Sequence, residues 1–133
     1  MIDAKTLAWD EPVQDCFDTV NNKSYVFASR LMYEYCVTSN HPKQLVVMDD
    51  EAYGVIINQN LSRRKMRNLN REWGDKLHEN NAKRPLLFAR IRPDLSFLAD
   101  GNHRYAYLWE RGATFCIAYV CDRPIWEKFL IFK

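Results

Sequence analysis

The sequence predicts an α+β fold with a small mixed β-sheet and packed helices. Apolar runs at residues 86–91, 95–99 and 115–121 have the length and β-branched or aromatic content of strands. Between and around them, apolar residues recur at three- and four-residue spacing, the signature of helices packed on one side. Clusters of Gly, Pro, Asn and Asp separate the two kinds of segment. The chain has 133 residues, a single-domain length, and its 47% apolar content suffices for a core.

Residues 1–42 read as a helical N-terminal extension. Asp10 can cap a short helix with Pro12 in its first turn, where a missing N–H costs nothing. Ser24 can cap a second helix carrying Tyr25, Ala28, Leu31, Met32 and Tyr35, and Ser39-Asn40-His41-Pro42 breaks it. Residues 44–48 then read as a buried strand, Asp49-Asp50-Glu51 as a turn, and 53–57 as a second strand able to pair with the first as a hairpin.

Ser62 opens a clearer helix, with Met66, Leu69, Trp73 and Leu77 on one stripe and Arg64, Arg67 and Arg71 sharing the other face. Those arginines, flanked by Arg63 and Lys65, can contact a phosphate or a nucleic-acid backbone. A solvated face is the favoured reading, because Arg71–Asp75 and Glu72–Lys76 are pairs four apart. Asn80-Asn81 and Pro85 end the element.

After strands at 86–91 and 95–99, joined by Arg92-Pro93-Asp94, a helix is expected from about His103 to Arg111. Tyr105, Ala106, Leu108 and Trp109 form its apolar side, and Gly112 sits where a left-handed C-terminal cap belongs. A strand at 115–121 completes a core spanning 43–121, and Asp122 with Pro124 starts a C-terminal helix over 122–133 bearing Trp126, Phe129 and Leu130.

Composition narrows the partners. The formal net charge of +2 does not suit an obligate nucleic-acid binder, which carries a clear cationic excess. Cys16, Cys36, Cys116 and Cys121 form no C-x-x-C pair and no zinc-finger spacing, so reduced, mostly buried thiols are expected and disulfides stay open. The N-terminus lacks the basic head and apolar run of a signal peptide, and no stretch is apolar enough to span a bilayer. Cytoplasmic residence without a membrane partner is the expectation.

Chemistry concentrates in the turn Asp100-Gly101-Asn102-His103-Arg104. Gly101 lets an anion approach the backbone, and the helix after it presents N–H groups at the positive end of its dipole. Arg104 can grip two phosphate oxygens with its planar fork, and His103 can donate a hydrogen bond or exchange a proton near neutral pH. Taken alone, the pentapeptide reads slightly more readily as turn punctuation, with Asp100 or Asn102 as the helix cap. Tyr25, Phe27, Tyr33 and Tyr35 could stack on a base, but aromatic residues at helical spacing more often fill a core. His41 and His78 have no partner at ligand spacing and read as surface residues. No dedicated metal site is expected; Asp100 and Asn102 are the only local donors, so magnesium enters only with a nucleotide.

Pro85-Leu86-Leu87-Phe88, then Phe97-Leu98-Ala99-Asp100-Gly101-Asn102-His103-Arg104-Tyr105-Ala106, Gly112 and Ile117-Ala118-Tyr119-Val120 together resemble the ParB/sulfiredoxin superfamily. His103-Arg104-Tyr105-Ala106 is similar to the sulfiredoxin version, and Asp100-Gly101-x-His103-Arg104 to the small ParB-like domains of phages and mobile elements. The resemblance covers roughly residues 45–121. It implies a nucleotide, ATP or CTP with Mg2+, bound with its phosphates at Gly101, Asn102, His103 and Arg104, beside Asp100.

Asn102 stands where sulfiredoxins carry a reactive Cys, which argues against sulfinic-acid reduction. With the sequence ending at Lys133, the helix-turn-helix domain of partition proteins is not expected. Two functions follow. One is an enzyme that hydrolyses or transfers a phosphoryl group, or a nuclease variant of it, with His103 and Arg104 as the catalytic pair. The other is a non-catalytic binding module, a phage or mobile-element adaptor or inhibitor that contacts protein or nucleic acid.

Overall fold

A computed structural model describes residues 1–59 and 84–132. The helix expected from Ser62, with Arg64, Arg67, Arg71 and His78, lies outside the described residues. Those described form a small mixed α/β protein. Its strands are β1 (Ile2–Asp3), β2 (Gln14–Asp18), β3 (Lys23–Phe27), β4 (Lys43–Val47), β5 (Leu86–Arg92), β6 (Leu95–Asp100), β7 (Phe115–Cys121) and β8 (Ile131–Phe132). Its α-helices are α1 (Ser29–Thr38), α2 (Asp50–Gln59), α3 (Asn102–Glu110) and α4 (Arg123–Trp126). Hydrogen bonding joins β1 to β8 in parallel and β2 to β3 antiparallel, and orders a four-stranded sheet as β4-β7-β5-β6. The chain divides into two compact units, one of Met1–Pro42, Leu87–Asp100 and Tyr119–Lys133, the other of Lys43–Leu86 and Gly101–Ala118.

In the first unit the expected helical extension over residues 1–42 is corrected. Only α1 is α-helical there, and the segment before it is a hairpin. The reason is a two-residue period: Cys16 and Asp18 are buried on β2, Tyr25 and Phe27 on β3, and Cys16 lies opposite Tyr25. Ser24 caps no helix; its hydroxyl donates to Asp15 Oδ1 across the hairpin at 2.7 Å. α1 begins five residues later and buries Met32, Tyr33 and Cys36.

The core of this unit gathers Phe27, Met32, Cys36, Leu87, Ala89, Ala99 and Cys121, all closed to solvent, around Tyr25 and Trp126. The Trp126 ring stands edge-on to Tyr25 and Phe27, with centroids 5.9 and 6.2 Å away, and its indole N–H donates to Arg90 O at 2.8 Å. Tyr25, Phe27 and Tyr33 are therefore core residues rather than a stacking platform. His41 is half-buried, with Nε2 3.0 Å from Val120 O, and so differs from the surface residue expected. The C-terminal helix expected over 122–133 is corrected to one turn, α4, followed by a 3-10 turn at Glu127–Phe129 and by β8. β8 extends because it pairs with β1, Ile131 opposite Ile2.

A buried ion pair ties the hairpin to β5. Arg92 Nη1 and Nη2 donate to Asp18 Oδ2 and Oδ1 at 2.6 and 3.1 Å, and the same carboxylate accepts the N–H groups of Val20 and Asn21. Asp18 is only 2% exposed, so these bonds replace its hydration.

In the second unit, residues 53–57 were expected as a strand and belong to α2 instead. Asp49 Oδ1 accepts the Ala52 N–H at 2.7 Å, a side-chain N-cap, and Asp50 and Glu51 place negative charge in the first turn. Those three acids open a helix rather than a hairpin, and β4 takes β7 as its neighbour.

The Arg92 fork holds the Asp18 carboxyl down at about 2, and the Val20 and Asn21 N–H groups assist, outweighing burial, which acts upward. A depressed folded value means that the contribution is complete above the ordinary carboxylate value, about 4, and is lost as pH falls toward the folded one. Asp18→Asn should lower the melting temperature at neutral pH by about 5 °C or more. It should also flatten the fall in melting temperature between about pH 4 and 2. Parallel pH profiles for variant and parent would refute this assignment.

Candidate functional site

The 100–104 turn lies where β6 gives way to α3. Approaching it, Leu87 pairs with Asp100 but Phe88 pairs with Leu98, which leaves Ala99 as an extra residue, a β-bulge in a fully buried position. Asp100 ends β6, Gly101 is the N-cap of α3, and Asn102, His103 and Arg104 fill its first turn. All five are half-buried.

Gly101 has φ +100°, a conformation that L side chains rarely adopt. A Cβ at this position would overlap Leu86 Cδ2 and would stand 3.1 Å from Arg104 Nη2. Leu86 is 1% exposed, so accommodating a Cβ would require its packed side chain to shift within the core. The N-cap residue therefore carries no side chain and makes no side-chain cap bond. The first backbone N–H groups of an α-helix have no acceptor inside the helix, and here they lie beside a glycine.

The rest of α3 is firmly held. Tyr105, 1% exposed, accepts the Asp49 N–H on its hydroxyl at 2.9 Å. Tyr53 donates to Glu110 Oε1 at 2.6 Å and stacks on Trp109. The C-terminus closes as expected: Gly112 has φ +85°, its N–H donates to Trp109 O, and the Ala113 N–H to Leu108 O, both at 3.0 Å. That pair of bonds is a Schellman cap.

Arg104 is turned to the start of β5. Its Nη1 donates to the carbonyls of Arg84 and Pro85, each at 3.1 Å. Sequence spacing gave no sign of this clamp, because its acceptors are backbone atoms some twenty residues upstream. The motif reading likewise did not single out Leu86, whose packing explains the glycine. Burial pushes the His103 imidazole below its ordinary value, which favours the neutral ring at pH 7. Arg64, Arg67 and Arg71 lie outside the described residues. Among the described residues no cluster of three His, Cys, Asp or Glu side chains could hold a metal ion, and no helix is long and apolar enough to cross a membrane.

No protein-family model matches this chain, and neither a curated protein nor a solved structure is significantly similar to it.

The two left-handed glycines make an internal comparison. Gly112 has nothing within 4 Å of a built Cβ, so Gly112→Ala should cost only the backbone term, about 1–2 kcal/mol. Gly101→Ala adds the overlap with Leu86 and should cost at least about 1 kcal/mol more in chemical denaturation. Equal losses would show that Leu86 yields without cost.

Proposed function

We propose that residues 101–104 bind the phosphates of a nucleotide, ATP or CTP with Mg2+, and that His103 and Arg104 serve its hydrolysis or phosphoryl transfer. The observation that carries this reading is Gly101: a left-handed N-cap with no side chain, opening a nine-residue helix with His103 and Arg104 in its first turn. With no side chain on Gly101, a phosphate oxygen could approach the backbone N–H donors and the positive end of the dipole. The likeness of residues 97–106 to the ParB/sulfiredoxin superfamily supports the same ligand and turn.

Arg104 Nη2, close beside Gly101, would neutralise phosphate charge while Nη1 stays on the Arg84 and Pro85 carbonyls. The neutral His103 ring would accept a proton from an attacking water or hydroxyl. Asn102, in place of a reactive thiol, keeps the turn to phosphate chemistry. Magnesium would supply charge neutralisation as part of the bound nucleotide, with Asp100 and Asn102 the nearest side-chain donors.

A second reading, the non-catalytic binding module of a phage or mobile element, is favoured by the same Nη1 bonds. An arginine that clamps two carbonyls holds the fold whether or not a ligand is present.

A thermal-shift panel of nucleotides with magnesium separates the readings. At a hundredfold excess over Kd, a true ligand stabilises the native state by about 2.7 kcal/mol. ATP or CTP should raise the melting temperature of the parent and of Arg104→Lys less than the parent, and His103→Ala should bind but turn over poorly. No shift with any nucleotide ends the proposal; a shift without phosphate release supports binding alone. Incubation with single- and double-stranded nucleic acid tests the nuclease variant.

A further inference from the structure

The proposed site uses none of the cysteines, yet two of them meet. Cys36 Sγ, on α1, and Cys121 Sγ, at the end of β7, lie 3.3 Å apart and share a hydrogen bond. They are 85 residues apart in sequence, and both side chains are closed to solvent. Cys16 and Cys116 are also buried thiols, but each donates to a backbone carbonyl, Leu98 O and Val46 O.

We infer that Cys36 and Cys121 are an oxidation site: a small hydroperoxide, hydrogen peroxide in the simplest case, converts them to a reversible disulfide linking α1 to β7. A disulfide needs sulfurs about 2.05 Å apart, so the pair must close by little more than an ångström, within reach of side-chain rotation. The shared hydrogen bond distinguishes their roles. It lowers the Cys36 thiol from its ordinary value, because Cys121 donates to the thiolate, and it raises Cys121. Cys36 is accordingly the attacking sulfur. Burial, joined at Cys16 by the Asp15 charge, moves Cys16 up to about 12, and burial moves Cys116 up to about 11, which keeps both thiols protonated.

The chemistry balances in two steps. The Cys36 thiolate attacks one peroxide oxygen, the O–O bond breaks, and the departing hydroxide takes up a proton as water, leaving a sulfenic acid. The Cys121 sulfur then displaces that hydroxyl, losing its own proton, and a second water departs as the S–S bond forms. Two thiols and one peroxide give one disulfide and two waters; sulfur loses two electrons and the peroxide gains them. Hydrogen peroxide is nearly as small as water and can reach a closed core through local opening, whereas bulky disulfides cannot. In a reducing compartment such a bond would be transient.

The test treats the reduced, full-length wild-type chain with hydrogen peroxide, blocks remaining thiols under denaturing conditions, and maps peptides by mass. The expected product has two fewer blockable thiols, has lost the mass of two hydrogens, joins the Cys36 and Cys121 peptides, and returns to the starting mass with dithiothreitol. Cys121→Ala should give no peptide linked through Cys36; if that variant does not fold, the wild-type map still decides. Four thiols left intact would overturn the inference. So would oxygen adducts on Cys36 and Cys121 in place of a link, or a link through Cys16 or Cys116.

Discussion

The packing of Leu86 against Gly101 is the constraint on which the turn at the start of α3 depends. Leu86 is buried and a Cβ on the residue facing it would displace its side chain, while the chain enters the helix through φ +100°, so both contact and backbone favour glycine. A glycine forced by packing also strips the helix of a side-chain cap. On the proposed function, the residue that packs on Leu86 is also the one at which the anion-binding helix would begin.

Arg104 shows why a motif residue carries two readings at once. Its Nη1 bonds to the carbonyls of Arg84 and Pro85 satisfy backbone acceptors at the start of β5, a structural duty. The guanidinium has further donors, and Nη2 lies close to the glycine. An arginine so fixed loses little side-chain freedom on meeting a phosphate, which is what preorganisation requires. Arg92 carries the opposite lesson: both of its terminal nitrogens are committed to Asp18, a buried carboxylate that also closes the hairpin turn. An identical fork serves structure alone there.

The legible parts of the sequence were those in which local pattern and burial agree. The strand at 115–121 and the helix from 103, with its Gly112 stop, have local periods and local caps, and the structure places them within a residue of their expected bounds. The hairpin before α1 was illegible because Tyr25, Ala28, Leu31, Met32 and Tyr35 fit a helical period while Tyr25 and Phe27 fit a strand period; the burial of Cys16 and Asp18 on the paired strand follows the second. α2 was misread because Val55, Ile56 and Ile57 are strand formers, whereas the Asp49 cap and two acids behind it determine the outcome. In the site, residue identities were readable from the turn. The Arg104 clamp and the Leu86 contact were not, since each joins segments about fifteen to twenty residues apart with no repeating spacing.

His103 sets the limit on what the turn can do. Desolvation lowers its proton affinity, and a phosphate placed beside it would act the other way, through direct charge attraction. The two effects oppose each other, so on the proposed function anion binding and proton uptake at His103 would be thermodynamically linked. Burial favours the neutral ring, which can accept a proton, and a bound phosphate would push its proton affinity back upward. A base is effective when its proton affinity lies near the working pH. On the proposed function, therefore, the burial that first looks like a loss of charge beside an anion is what leaves His103 able to take a proton, while Arg104 and the dipole of α3 carry the electrostatics of binding.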